Sequence, residues 1–178
     1  MTIRPVETIY NGYRFRSRIE ARWAVFFDAI GCAYEYEPEG FDLGDGYYYL
    51  PDFYLPEHDV WVEIKGKQLT EEERQKIERF CQAKCNIEKT GTRFRLLEGQ
   101  IPDVLQVQDG VFGIPCFNWI TLRECAKVPG VNMKVAKDDP RGVLLFALWK
   151  PDCSTQEMLD GLMKARQARF EHGEKPNP

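Results

Sequence analysis

Apolar and polar positions alternate most strictly over residues 60–65, VWVEIK, which sets Val60, Val62 and Ile64 on one side of an extended strand and Trp61, Glu63 and Lys65 on the other. Residues 47–55, YYYLPDFYL, are aromatic and apolar enough for a partner strand, and the intervening PEHD predicts a short turn. Together they predict an antiparallel hairpin. A helical period governs residues 17–30, SRIEARWAVFFDAI, where Ile19, Trp23, Phe26, Phe27 and Ile30 form one buried stripe and Gly31 supplies the stop. Ser17-x-x-Glu20 and Thr70-x-x-Glu73 are capping boxes, the second opening a helix to about Asn86 with Ile77, Phe80, Cys81 and Lys84 or Cys85 inward. Residues 33–45 alternate aromatic and acidic, so Tyr34 and Tyr36 share a strand face and Glu35 and Glu37 turn to water. Residues 92–97, TRFRLL, alternate again as a strand.

The predicted order is helix, three strands, helix, strand, in an α/β (α+β) chain. Before it, Asn11-Gly12 marks a turn in an extended arm or small hairpin. After it, VFGIPCFNWITL and RGVLLFALW are β-prone and predict added strands, separated by a connector rich in Pro, Gly, Lys and Asp at 128–142. Ser154-x-x-Glu157 opens a last helix with Met158, Leu162 and Ala165 inward and Lys164, Arg166 and Arg169 outward, and HGEKPNP reads as a loose tail. The core is expected in residues 1–100, with 101–178 an extension packed on the same domain.

Composition narrows this picture in three ways. At 178 residues the chain suits one domain with a real core, and the absence of a long apolar run or an apolar leader leads us to expect a soluble, cytoplasmic protein with no membrane contact. Six dispersed cysteines do not make a disulfide scaffold; Cys81, Cys85, Cys116 and Cys125 leave a zinc site open as the minor alternative, without the CxxC spacing that structural zinc usually shows. The formal charge of −4 argues against a protein that coats nucleic acid. That charge is uneven: residues 31–65 hold nine acids against one lysine, a net of −8, whereas residues 1–30 hold five arginines against three acids.

The acidic stretch carries the candidate chemistry. With Asp52 on the neighbouring strand, Asp52 and Glu63 converge beside Lys65, and two such carboxylates repel unless a cation lies between them. Hard oxygen ligands suit Mg²⁺ or Mn²⁺, with the Ile64 carbonyl as a further donor. Lys65 would then hold or help deprotonate the water that attacks a phosphodiester. The plainer alternative is a surface salt bridge between Glu63 and Lys65, with Asp52 merely starting a turn. Glu20 lies beside an apolar stripe, where a carboxylate needs a partner, although the capping box alone would account for it. Arg14, Arg16, Arg18 and Arg22 crowd the start of the first helix, where each is either a phosphate contact or a solvated charge.

Pro51-Asp52 followed by Glu63-Ile64-Lys65 resembles the signature of the PD-(D/E)XK, or restriction-endonuclease-like, nuclease superfamily. RSRIEARWAVFFDAIG is similar to the leading helix of its phage and mobile-element branch, and the likeness covers roughly residues 10–97. The resemblance implies an αβββαβ core with a mixed central sheet flanked by helices, extended here by C-terminal strands and a helix. It implies a Mg²⁺- or Mn²⁺-dependent endonuclease acting on DNA, either structure-selective for junctions or flaps or cutting transposon ends. Asp52, Glu63 and Glu20 would bind metal with the Ile64 carbonyl, Lys65 would position water, and Lys67 and Gln68 would orient water or contact the scissile phosphate. A homodimer or a larger nucleoprotein complex is also within what it implies, in the host cytoplasm for a phage-encoded protein. The rival from another class is a non-catalytic nucleic-acid or protein binder built on the same scaffold.

Overall fold

A computed structural model of the chain describes residues 6–84, 93–102, 106–108, 111–117, 141–145 and 155–170. The expectations for Cys85, Asn86, Ser154, the residues 128–140 and the tail from 172 lie outside the described residues. What is described is an α+β protein with three α-helices around a seven-stranded mixed sheet and two separate two-stranded sheets.

The chain begins with a hairpin of β1 (Thr8–Tyr10) and β2 (Tyr13–Phe15), turned by Asn11 and Gly12 at φ +47° and +84°. Two successive positive φ values are what a two-residue turn between right-twisted strands demands, and Asn-Gly adopts them with little strain. Helix α1 (Arg18–Ala29) starts on Ser17, whose Oγ accepts the Glu20 N–H at 3.3 Å, and stops where Gly31 turns left-handed at φ +64°.

Three strands follow: β3 (Glu35–Tyr36), β6 (Phe53–Leu55) and β7 (Val60–Lys65), paired antiparallel in that order. Between β3 and β6, β4 (Phe41–Asp42) and β5 (Tyr48–Tyr49) pair only with each other. The single strand expected over 47–55 is therefore two, broken at Pro51-Asp52, because Pro51 has no N–H to continue a ladder. A 3₁₀ turn at Pro56–His58, closed by Asp59 at φ +49°, joins β6 to β7. Helix α2 (Glu71–Lys84) then carries the chain across to β8 (Arg93–Glu98), which lies parallel to β7 from Val60↔Arg93 to Lys65↔Glu98. Strands β10 (Val111–Phe117) and β11 (Arg141–Leu145) fall in the two β-prone segments and extend the sheet beyond β8, and β9 (Gln106–Gln108), which the pattern did not indicate, pairs with β10.

The alternation along β7 decides what lies on each face. Val60, Val62 and Ile64 join Phe53, Leu55 and Leu97 in a core with α1 and the last helix, α3 (Thr155–Gln167). Phe15, Phe26, Phe27 and Phe53 are fully buried there, and the edge-on Phe27–Phe53 contact at 5.4 Å ties α1 to the sheet. Met158, Leu162 and Ala165 of α3 point inward as expected, and Gly161 lets the helix close on Phe26 and Ile30. A Cβ at Gly161 would stand 3.1 Å from the Ile30 methyl. On the opposite face Trp61, Phe94 and Leu96 meet Ile77, Phe80 and Cys81 of α2, with Phe41 and Tyr49 at the side. Lys84, expected on the inward stripe, is exposed, with its ammonium 5.0 Å from the Phe41 ring. The second face also bears Glu63 and Lys65. Among the described residues no helix is long and apolar enough to cross a membrane.

Candidate metal and catalytic site

The register of β6 on β7 pairs Phe53 with Val62, so one step further sets Asp52 opposite Glu63, on the face that carries Trp61. The Asp52 carboxylate accepts the Ile64 N–H at 2.7 Å, and the Asp52 N–H in turn donates to Glu63. Each acid is thus oriented by backbone belonging to the other's neighbourhood. The Asp52 carbonyl accepts the Glu37 N–H at 2.9 Å, which anchors the bend to the end of β3. Asp52 and Glu63 are 6 % and 3 % exposed. Burial at this level for two carboxylates separates the arrangement from the surface salt bridge that the sequence also allowed.

Glu63 uses both oxygens: Oε2 accepts the Tyr49 hydroxyl at 2.8 Å and Oε1 meets the Lys65 ammonium at 3.0 Å. Lys65 reaches on to Glu73 Oε1 at 3.1 Å. Burial pushes the Asp52 carboxyl well above the usual range, and the charges of Glu63 and Glu20 push it further, against the Ile64 hydrogen bond and Lys65. Burial also raises Glu63, opposed by the Lys65 charge. For Lys65 burial works downward, but Glu63, Asp52 and Glu73 outweigh it and hold the ammonium charged beyond its ordinary range. In this arrangement the Lys65 ammonium donates to the carboxylates of both Glu63 and Glu73.

Glu20 is buried in the first turn of α1, 7 % exposed, and its partners explain how that is tolerated. Oε2 accepts the Tyr36 hydroxyl at 2.7 Å and the Arg16 N–H at 3.1 Å, while Oε1 accepts the Ser17 hydroxyl. The return bond of the capping box therefore comes from the Arg16 amide, not from the Ser17 amide that the pattern predicts. Glu20 acts on Asp52 through its charge, yet among the described residues no three His, Cys, Asp or Glu side chains gather into a ready ligand set. The close carboxylates are the pair Asp52 and Glu63. Replacing Tyr36 by Phe removes a donor from the buried Glu20 carboxylate, and urea unfolding is expected to show a loss of about 1–3 kcal/mol.

Several expected phosphate contacts have other partners. Arg14 pairs with Glu7 at 3.2 Å, and Arg16 pairs with Glu37 at 2.6 Å. Arg22 donates to the Ala168 carbonyl at 3.4 Å, fastening α1 to the end of α3. Glu37, expected to face water, instead sits half-buried at φ +46°, where burial raises its carboxyl and Arg16 opposes the rise. Arg18, Lys67 and Gln68 are exposed. Ile64 enters the site through its N–H. Cys32 and Cys81 are buried free thiols, and the other four cysteine side chains lie outside the described residues.

Tyr49, Tyr36 and the second role of Glu73 were not expected. The only signal for Tyr49 is its place in the aromatic run 47–49; its contact with residue 63 depends on how the separate β4–β5 ribbon folds back over the sheet.

The donor set fits a hard divalent cation. Two buried carboxylates, Asp52 and Glu63, stand opposite one another in the register, and the Lys65 ammonium on Glu63 is itself shared with Glu73. Mg²⁺ is commonly held by one or two carboxylates, with water and substrate oxygens completing its shell, so a pair suffices. Comparison of the chain with family models, curated proteins and solved structures finds no significant match.

Proposed function

We propose that the chain is a Mg²⁺- or Mn²⁺-dependent endonuclease of the PD-(D/E)XK type that hydrolyses DNA phosphodiester bonds. The observation that carries this reading is the buried Asp52–Glu63 pair, set face to face across β6 and β7 with the Lys65 ammonium on Glu63. The element order supports it: α1, the antiparallel β3, β6 and β7, then α2 and the parallel β8, is the αβββαβ order that the Pro51-Asp52 and Glu63-Ile64-Lys65 signature implies.

Asp52 and Glu63 would hold the ion, with the Ile64 carbonyl as an added donor and Glu20 as a more distant acid. Bound there, a divalent cation supplies Lewis-acid stabilisation of the phosphoryl charge and makes water more acidic. Tyr49 keeps Glu63 from rotating, and the Ile64 N–H does the same for Asp52. Lys65, held charged, donates toward the water or the phosphate oxygen brought against it. Exposed Arg18, Lys67 and Gln68 are the groups available to the DNA backbone, while Arg14 and Arg16 would first have to exchange their carboxylate partners.

Supercoiled plasmid DNA incubated with the purified protein and Mn²⁺ is the test. Nicking that disappears with a chelator is the expected result; no cleavage, together with no Mn²⁺ uptake by calorimetry, would favour a non-catalytic binding module instead. Branched, linear and single-stranded substrates compared at one salt concentration then separate a structure-selective enzyme from a general one.

A further inference from the structure

Glu73 opens α2 as a capping-box residue, and such a glutamate ordinarily serves only the helix terminus. Here its two oxygens do different things. Oε2 accepts the Thr70 N–H at 2.8 Å and the Thr70 hydroxyl at 2.9 Å, while Oε1 holds the Lys65 ammonium at 3.1 Å. The Glu73 N–H returns to Thr70 Oγ1 at 3.3 Å, so the carboxylate is fixed to its own backbone before it meets Lys65. Lys65 is consequently gripped from two sides, by Glu63 on its own strand and by Glu73 from the helix after it.

We propose that Glu73 is the positioning residue for Lys65, keeping the ammonium in place when a cation draws on Glu63. The catalytic consequence rests on the nuclease reading; the grip on Lys65 does not. A divalent ion at Glu63 repels the neighbouring ammonium and competes for the oxygen that holds it. A lysine on a flexible four-carbon stem would then swing away unless a second carboxylate retained it, and Glu73 is that carboxylate. The backbone N–H of residue 70, which Thr70→Ala retains, keeps the carboxylate at the start of α2 within reach of Lys65 on β7.

Two substitutions separate this role from capping alone. Glu73→Gln keeps an oxygen to accept the Thr70 N–H but loses the charge that holds Lys65, whereas Thr70→Ala weakens the cap and leaves that carboxylate in place. In Mn²⁺-dependent plasmid cleavage, Glu73→Gln is expected to lower kcat roughly ten- to a hundredfold with KM within about twofold, as losing an outer partner of a metal site commonly does. Thr70→Ala is expected to lower the melting temperature and keep kcat within about threefold of the parent. Added to Lys65→Ala, Glu73→Gln is expected to change kcat no further. The second readout needs no catalysis: ¹⁵N-lysine NMR of the metal-free protein should show a Lys65 ammonium protected from solvent exchange, protected equally in Thr70→Ala and measurably less in Glu73→Gln, where Glu63 alone still holds it. Unchanged ammonium protection in Glu73→Gln overturns the proposal, as does an equal fall in kcat for Thr70→Ala. A parent protein that cleaves nothing refutes the nuclease reading, and the ammonium comparison then decides by itself whether Glu73 holds Lys65.

Discussion

Asp52→Asn is expected to abolish metal-dependent cleavage, to below about a thousandth of the parent rate, and at the same time to stabilise the metal-free protein at neutral pH. Asparagine has the same shape, and its carbonyl oxygen can still accept the Ile64 N–H that reaches Asp52 at 2.7 Å. What disappears is a buried negative charge facing Glu63 and Glu20, and with it a ligand for the cation. The pH dependence follows from the direction of the shift. Burial first, then the two neighbouring carboxylates, raise the Asp52 carboxyl in the folded protein above its unfolded value. Its unfavourable contribution is therefore absent below the ordinary carboxylate range and grows as pH rises through that range toward the folded value, each unit being worth about 1.4 kcal/mol. Urea unfolding at pH 7 should show the variant as the more stable protein, and unfolding below the carboxylate range should show little difference. Saturating Mn²⁺ should reverse the order at pH 7, because only the parent binds it. A variant that cleaves at the parental rate would remove Asp52 from the site.

Lys65→Ala should fail differently. It also lowers the cleavage rate, by about 10²–10⁴-fold, but it leaves Glu63 buried without its cation and so destabilises the fold. Breaking a fully buried pair costs about 3–5 kcal/mol; with the Lys65 side chain 27 % exposed, water takes up part of the loss and about 2–3 kcal/mol is expected. Burial alone would lower the lysine, yet Glu63, Asp52 and Glu73 raise it above its unfolded value. The lysine's own contribution is accordingly complete below the ordinary lysine range and is lost only in strong alkali. One carboxylate and one amine beside the same Glu63 are thus expected to have opposite effects on stability and the same effect on cleavage.

The sequence pattern locates the central hairpin because strand periodicity is a local property: the alternation in residues 60–65 separates Val60, Val62 and Ile64 from Trp61, Glu63 and Lys65 without reference to the rest of the chain. Helix α1 is legible for the same reason, with Ser17 and Gly31 marking its ends. Pattern fails where pairing is not local. Tyr48 and Tyr49 have the composition of a strand that would continue into Phe53, but their partners are Phe41 and Asp42, and the ribbon so formed brings the Tyr49 hydroxyl onto Glu63. Glu37 looks solvated by alternation, yet a left-handed backbone turns it toward Arg16. Glu20 shows a mixed case: Ser17 caps α1 as read, but the carboxylate takes its return bond from the Arg16 amide and also receives Tyr36 from β3, a contact that no spacing within α1 could indicate.

Anomalous diffraction from a crystal soaked in Mn²⁺ addresses the pair of acids with the least intervening inference. The expected result is a manganese peak in contact with the carboxylates of both Asp52 and Glu63, present in the parent and missing in Asp52→Asn. A soaked parent crystal with no peak there, or with its manganese bound elsewhere, would contradict the claim that these two side chains share one divalent ion.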